Sequence, residues 1–141
     1  MVLLDVNVLV TAMRKDAPGH ARLRTYLEAL RSAQEPFAIS DLVLSGALRI
    51  LTHPRVFTPP TPLRAALTFI DTLRRSPNAV VVAPGPRHWG IFVSLLDTSG
   101  ARGNLVADAW HAALAIEHGC EWISDDADFA RFPALRWKRP S

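Results

Sequence analysis

The 141-residue sequence contains one cysteine, Cys120, so no disulfide can form within the chain. An oxidising compartment is therefore not implied, and the cytoplasm is the predicted location. No neighbouring group would activate the Cys120 thiol, so we expect a small buried residue rather than a nucleophile. No apolar run reaches the roughly 20 residues of a membrane span, and residues 1–10 lack the basic leader of a signal peptide. The sequence thus predicts neither a membrane protein nor a secreted one.

Several motifs of well-known enzyme classes are also absent. The five histidines form no HExxH pair, and one cysteine cannot build a structural zinc site. There is no GxSxG elbow and no GxGxxG after an apolar run. The glycine-containing segment Ser99–Gly103 lacks the lysine and the spacing of a P-loop. Zinc hydrolysis, serine-triad hydrolysis and dinucleotide binding are accordingly disfavoured.

The composition is that of an ordinary globular protein, with 49% hydrophobic and 21% charged residues. The length suits a single domain covering residues 1–141. The formal net charge is +3, which permits a polyanionic partner without requiring one. Basic residues cluster early and at the end of the chain, at Arg14, Lys15, Arg22, Arg24 and Arg31, and at Arg131, Arg136, Lys138 and Arg139. Each cluster is either a solvated surface or a contact for nucleic-acid phosphates.

Apolar runs alternate with segments of helical periodicity along the whole chain. Strands are predicted at residues 2–5, 37–39, 80–82, 121–124 and 135–137. Helices are predicted at residues 8–15 with Asn7 as N-cap, after Pro18, from Ser40-Asp41, from Pro62, and at residues 87–98. A last helix is predicted up to His118, with Asn104 as its N-cap and Gly119 ending it. Continuous apolar runs are typical of strands that are buried on both faces. We therefore predict an α/β sandwich around a mainly parallel sheet of four to five strands.

Two acids follow predicted strands directly. Asp5 ends the first apolar run, and Asp126 follows the strand at residues 121–124. Ligands of open parallel sheets bind at the carboxyl ends of the strands, so both acids are candidates for one site. For Asp5 the alternative is simply the N-cap of the following helix.

Asp108 lies in the second turn of the helix that begins near Asn104, among many apolar residues. A carboxylate in such surroundings is costly to desolvate unless it is paired or bound to a metal. The alternative is an exposed stripe formed with His111 and His118, with Glu117 beside it. His111 is expected to be a residue of the helix surface rather than a metal ligand. Asn104 is one turn before Asp108 and could orient it.

Clustered carboxylates repel one another, and a hard cation such as Mg²⁺ or Mn²⁺ relieves the repulsion. Such a site suits phosphodiester hydrolysis, in which one metal activates a water and a second, about 4 Å away, would stabilise the leaving oxygen.

Three segments resemble the motifs of PIN-domain nucleases, in the right order. They are Leu4–Leu9 (LDVNVL), Val106–Gly119 (VADAWHAALAIEHG) and Ser124–Phe132 (SDDADFARF). The short length and the stretch Leu44–Arg55 (LSGALRILTHPR) further resemble the VapC toxins of bacterial toxin–antitoxin pairs, particularly their mycobacterial branch. The resemblance implies a PIN fold, Mg²⁺- or Mn²⁺-dependent cleavage of an RNA substrate, a homodimer, and inhibition by a cognate VapB-like antitoxin.

The resemblance also implies roles for individual residues. Asp5 and Asp108 would be the primary metal ligands, Asp126 would complete the metal site, and Asp128 would be a further ligand or supporting acid. Ser124 would orient a carboxylate or bind a phosphate oxygen, unless it is a plain hydroxyl at a strand end. Asn7 is an additional candidate within the first motif.

One departure from the family pattern concerns the helix after the second strand. The family usually has a glutamate there, whereas Leu44-Ser45-Gly46 contains no acid. Asp41, about one turn earlier, is either a substitute or only a helix cap. The leading interpretation is therefore an endoribonuclease, and the alternative is a PIN-like module that binds RNA or a partner with weak or no cleavage. A receiver-like, Mg²⁺-dependent phosphotransfer domain is a third class, but it would need a lysine late in the sheet, for which Lys138 is a poor candidate.

Overall fold

The computed structural model describes residues 1–141 as strands alternating with helices. The strands are β1 (Val2–Leu4), β2 (Phe37–Ile39), β3 (Ala79–Val81), β4 (Glu121–Ile123) and β5 (Trp137–Lys138). The α-helices are α1 (Val6–Met13), α2 (His20–Ser32), α3 (Asp41–Leu51), α4 (Leu63–Arg74), α5 (His88–Ser99) and α6 (Asn104–Glu117). A short 3₁₀ helix, Ala127–Arg131, lies between β4 and β5.

The five strands form one parallel sheet in the order β3-β2-β1-β4-β5. In the centre, Leu3 pairs with Ala38 of β2 and with Trp122 of β4. Because all strands run the same way, the residues that follow β1 and β4 lie side by side at the carboxyl ends of the strands. The prediction of an α/β fold with a mainly parallel sheet of four to five strands is confirmed.

Helices cover both faces of this sheet. Leu3 and Leu4 of β1 are both fully buried. Because consecutive residues of a strand point to opposite faces, both faces of the sheet are covered at β1. Helix α1 packs against α2 and α3, α3 packs against α4, and α5 packs against α6. One apolar cluster of 32 buried residues runs through these layers and includes Cys120, which is 2% exposed. The prediction that Cys120 is a small buried residue is confirmed, and burial raises the pKa of its thiol.

The third strand differs from the prediction. Val80 and Val81 are 39% and 41% exposed because β3 is at the edge of the sheet, and only Val82 behind them is buried. The apolar run predicted a strand here correctly. The exposure of that strand depends on the strand order in the sheet, which the local sequence does not reveal. The last strand begins two residues later than predicted, at Trp137.

Two predicted helix caps are also wrong. Helix α1 begins at Val6, and its N-cap is Asp5, so Asn7 lies inside the first turn. Helix α6 begins at Asn104 itself, and Gly103 precedes it with a φ of 57°. After α6, Gly119 adopts a φ of 65°, a left-handed conformation that glycine accepts readily, and ends the helix as predicted. None of the helices combines the length and the apolar character that crossing a membrane requires.

Candidate metal centre and active site

Asp5 is the buried acid of the site, with 8% of its surface exposed. It follows β1, and its carboxylate accepts hydrogen bonds from the Val6 N–H at 2.6 Å, the Ser124 hydroxyl at 2.6 Å and the Asn7 side-chain amide at 3.2 Å. Burial raises the pKa of Asp5, the hydrogen bonds from Ser124 and Val6 lower it, and repulsion from Asp126 raises it further, so that it stays above the usual value. Asp5 is therefore both the N-cap of α1 and a member of the acidic site.

Ser124 and Asn7 join the ends of β1 and β4. The Ser124 side chain is fully buried, and its oxygen accepts hydrogen bonds from the Asn7 amide and from the Asp126 N–H, both at 3.0 Å. The Asn7 side-chain oxygen accepts the Asp125 N–H at 3.3 Å. This network fixes the Asp5 carboxylate next to the turn that carries Asp126. The hydrogen bond from the Ser124 hydroxyl to Asp5 is the contact expected of a side chain that orients a carboxylate.

Three further acids come together in front of Asp5. Oxygen atoms of Asp108, Asp126 and Asp128 all lie within 4.8 Å of one another. The Asp126 carboxylate also accepts the Asp128 N–H at 2.9 Å, which opens the 3₁₀ helix. Burial raises the pKa of Asp108 to about 6, with additional repulsion from Asp126, Asp5 and Asp128. The acids of α6 and of the turn after β4 are thus close enough to repel one another.

The acids face a cavity of about 380 Å³ at the carboxyl edge of the sheet. Its walls come from the start of α1, the middle of α3, the second and third turns of α6 and the turn after β4. The lining residues are Asp5, Val6, Asn7, Val10, Thr11, Gly46, Arg49, Ile50, Ala107, Asp108, His111 and Asp126. Three of the four acids predicted for the site therefore line the cavity. The fourth, Asp128, is not among the lining residues, but its carboxylate is within 4.8 Å of those of Asp108 and Asp126.

Two uncertain candidates lie elsewhere. Asp41 is in the first turn of α3, where its carboxylate binds the Arg74 guanidinium at 2.9 and 3.2 Å and is 62% exposed. This guanidinium lowers the pKa of Asp41 below its usual value. Asp41 does not line the cavity. Asn104 is exposed at the start of α6, makes no side-chain hydrogen bond and does not reach the cavity either.

The sequence interpretation assigned His111 to the helix surface, whereas the residue lines the cavity. Its ring stacks on the buried Trp122 ring at a centroid distance of 5.4 Å, and its Nδ1 is buried without a hydrogen-bond partner. Burial, together with the charge of His88, lowers the pKa of His111 to about 4. The expectation of a surface residue is wrong because Trp122 of β4 covers one face of the ring, a contact that helical spacing does not show.

The residues of the site fit a hard divalent cation. The donors that converge are carboxylate oxygens, with no thiol and no neutral histidine set that would favour zinc. A cation would also relieve the repulsion that, in addition to burial, raises the pKa of Asp108. Asp5, Asp108 and Asp126 would hold it, with Asp128 beside them.

Sequence comparison places this geometry in a known family. The model of the PIN domain family matches residues 2–135, and the chain therefore belongs to that family. Within it, Ribonuclease VapC43 of Mycobacterium tuberculosis is 45% identical over 140 residues, covering 99% of this chain and 95% of that protein. Ribonuclease VapC25 of the same organism is 40% identical over 140 residues, covering 99% of both chains.

Solved structures support the fold independently. The structure of VapBC2 from Rickettsia felis, bound to a DNA fragment from its promoter, superimposes with a TM-score of 0.73 and covers 100% of both chains at 19% identity. At that identity the likeness concerns the fold alone. The predicted resemblance to PIN-domain proteins, and to VapC proteins among them, is confirmed.

Proposed function

We propose that this protein is a Mg²⁺-dependent endoribonuclease and the toxin component of a type II, VapBC-like toxin–antitoxin system. Its family and its VapC relatives support a nuclease. The observation that carries the metal dependence is the meeting of the Asp108, Asp126 and Asp128 carboxylates within 4.8 Å, beside the buried Asp5. Mn²⁺ would fit the same oxygen donors.

In this proposal the protein orients the reactants and provides charge. When bound, the divalent ion supplies an activated water and Lewis acidity toward the phosphodiester. Ser124 and Asn7 hold the Asp5 carboxylate by hydrogen bonds of 2.6 and 3.2 Å, which keeps that ligand in one orientation. Asp108 and Asp126 carry the negative charge that selects a divalent ion for the cavity.

One observation favours the alternative of a binding module with weak cleavage. Helix α3 contributes Gly46, Arg49 and Ile50 to the cavity and no acid, and Asp41 is paired with Arg74 outside it. A site with one ligand fewer would bind metal less tightly. The alternative predicts RNA binding by folded protein with no metal-dependent cleavage.

The decisive experiment is an incubation of purified, antitoxin-free protein with total cellular RNA and Mg²⁺, with and without EDTA, beside Asp108→Asn and Asp41→Asn. Discrete fragments are expected from the wild type and from Asp41→Asn, because Asp41 lies outside the cavity. Asp108→Asn removes a metal ligand and EDTA removes the metal itself, so each should reduce cleavage by a factor of about 100 or more. Cleavage that survives both EDTA and Asp108→Asn would contradict the proposed site.

The partners are proposed on the same basis. A VapB-like antitoxin is the expected inhibitor, and an adjacent short reading frame with a DNA-binding segment would support this pairing. The RNA substrate, the homodimer, the cytoplasmic location and the single domain over residues 1–141 stay predictions.

A further inference from the structure

One cation shares the cavity with the acids. Arg49 is on α3, its side chain lines the cavity together with Asp5, Asp108 and Asp126, and the residue is exposed to solvent. The guanidinium makes no hydrogen bond and no ion pair with any of these carboxylates. It is therefore a positive group that is free to meet a ligand entering the cavity.

Most other arginines are already engaged. Arg14 binds Asp16 at 2.7 Å, Arg24 binds Glu28 at 2.7 Å, and Arg22 binds Asp125 at 3.1 Å. The early basic cluster is thus largely neutralised by its own neighbours. The arginines whose side chains make no hydrogen bond or ion pair are Arg49, Arg55, Arg64, Arg75, Arg102 and Arg131, and of these only Arg49 lines the acidic cavity.

The close approach of α1 and α3 at Gly46 leaves Arg49 exposed in the α3 wall of the cavity. Gly46, one turn earlier on the same face, also lines the cavity, and a Cβ built on it would be 3.0 Å from Cγ2 of Val6. Helices α1 and α3 therefore approach closely at Gly46, and no side chain from that position enters the cavity. The α3 wall therefore presents the Arg49 cation and no acid to the cavity.

A phosphodiester that approaches Asp5, Asp108 and Asp126 meets negative charge of its own sign. A cation that lines the same cavity offsets that repulsion, and a guanidinium can bind two phosphate oxygens through parallel N–H groups. We propose that Arg49 binds a phosphate of the RNA substrate in the acidic cavity. This inference rests on the proposed function for the identity of the ligand, and it assigns Arg49 to substrate binding rather than to the metal.

The first test measures binding without cleavage. A short fluorescein-labelled single-stranded RNA of mixed sequence is titrated in EDTA with wild type, Arg49→Gln, Arg49→Lys and Arg64→Gln, over a series of salt concentrations. Loss of one phosphate contact should weaken binding about tenfold at low salt and reduce the slope of log K against log salt by about 0.7. Arg49→Lys should retain most of the slope because it keeps the charge. Arg64→Gln is the matched control, an arginine of α4 that is equally unpaired and outside the cavity, and should behave as wild type.

Identical binding by Arg49→Gln and Arg64→Gln would overturn the inference. The recovery of the salt slope by Arg49→Lys separates a loss of charge from a loss of fold, whatever the melting temperature of Arg49→Gln.

A cleavage arm in Mg²⁺ separates the failure of this inference from failure of the proposed function. Arg49→Gln should raise KM about tenfold with a smaller effect on kcat. If wild type cleaves and Arg49→Gln has the same KM, the inference fails and the nuclease stands. If wild type binds RNA through Arg49 but cleaves nothing, the inference stands and the proposed function fails.

Discussion

Asp108 is the residue at which burial and charge repulsion act together. Its pKa of about 6 means that in metal-free protein the carboxyl is mostly protonated at pH 5 and ionised at pH 8. Mg²⁺ binds only the ionised carboxylate, so protons compete with the metal. We expect the apparent Kd for Mg²⁺ to rise about tenfold from pH 8 to pH 5, as measured by titration calorimetry. Asp41→Asn should leave this dependence unchanged, whereas a pH-independent Kd would contradict the assignment of Asp108 as a ligand.

His111 gives a second prediction, which concerns the pH dependence of stability. Its folded-state pKa of about 4 is below the ordinary value of 6.5, so between these values the unfolded chain takes up a proton that the folded protein does not. The free energy of unfolding therefore falls as the pH drops from 6.5 to 4. The raised pKa of Asp108 acts in the other direction from pH 3.8 to about 6, so the wild-type curve contains both effects.

Replacing the ring isolates the contribution of histidine. Between pH 7 and pH 5, the wild type should lose about 1 to 2 kcal/mol more of its free energy of unfolding than His111→Phe loses. The reason is that phenylalanine takes up no proton in the unfolded chain. Urea denaturation at the two pH values measures this, with His118→Gln at the exposed end of α6 as the control. An equal change for wild type and His111→Phe would show that the ring is not held neutral in the fold.

At the scale of elements, the contact between α1 and α3 shapes the cavity. Glycine in a helix interior is less stable than alanine by about 0.5–1 kcal/mol, yet α3 has Gly46 where a Cβ would be 3.0 Å from Val6 Cγ2. We expect Gly46→Ala to destabilise the wild type and to be neutral or stabilising in a Val6→Ala background. The double-mutant cycle should give a coupling of roughly 0.5–1 kcal/mol by urea denaturation. Additive effects would mean that the two helices do not meet at this point.

The positions of single elements were predictable to different degrees. Local patterns located β1, β2 and β4 within a residue, because each contains adjacent apolar residues that are buried on both faces of the sheet. The exposure of β3 and the pairing of Asp41 with Arg74 were not predictable, since the first depends on strand order and the second on how α4 packs beside α3. Local periodicity contains neither kind of information.

At the scale of the molecule, the parallel sheet brings distant acids together. The hydrogen bond between Ser124 and Asp5 joins residues 119 positions apart and exists because β1 and β4 are neighbours in the sheet. Strand ends and one helical acid were sufficient to predict Asp5, Asp108 and Asp126 as a group, and the structure places them around one cavity. The places of Arg49 and His111 in the cavity were not predicted, because their relation to the acids arises only when α3, α6 and β4 are packed.

The measurement that tests the central claim most directly is the chemistry of the fragment ends. If the carboxylates hold a metal that activates water, the RNA fragments should carry no 2′,3′-cyclic phosphate, and a 2′-deoxy substitution at the cleaved bond should leave cleavage intact. Both results should require Mg²⁺ and Asp108. Fragments that end in a cyclic phosphate, are formed in EDTA and disappear with the 2′-deoxy substrate would instead show attack by the RNA's own hydroxyl and would contradict the proposed metal centre.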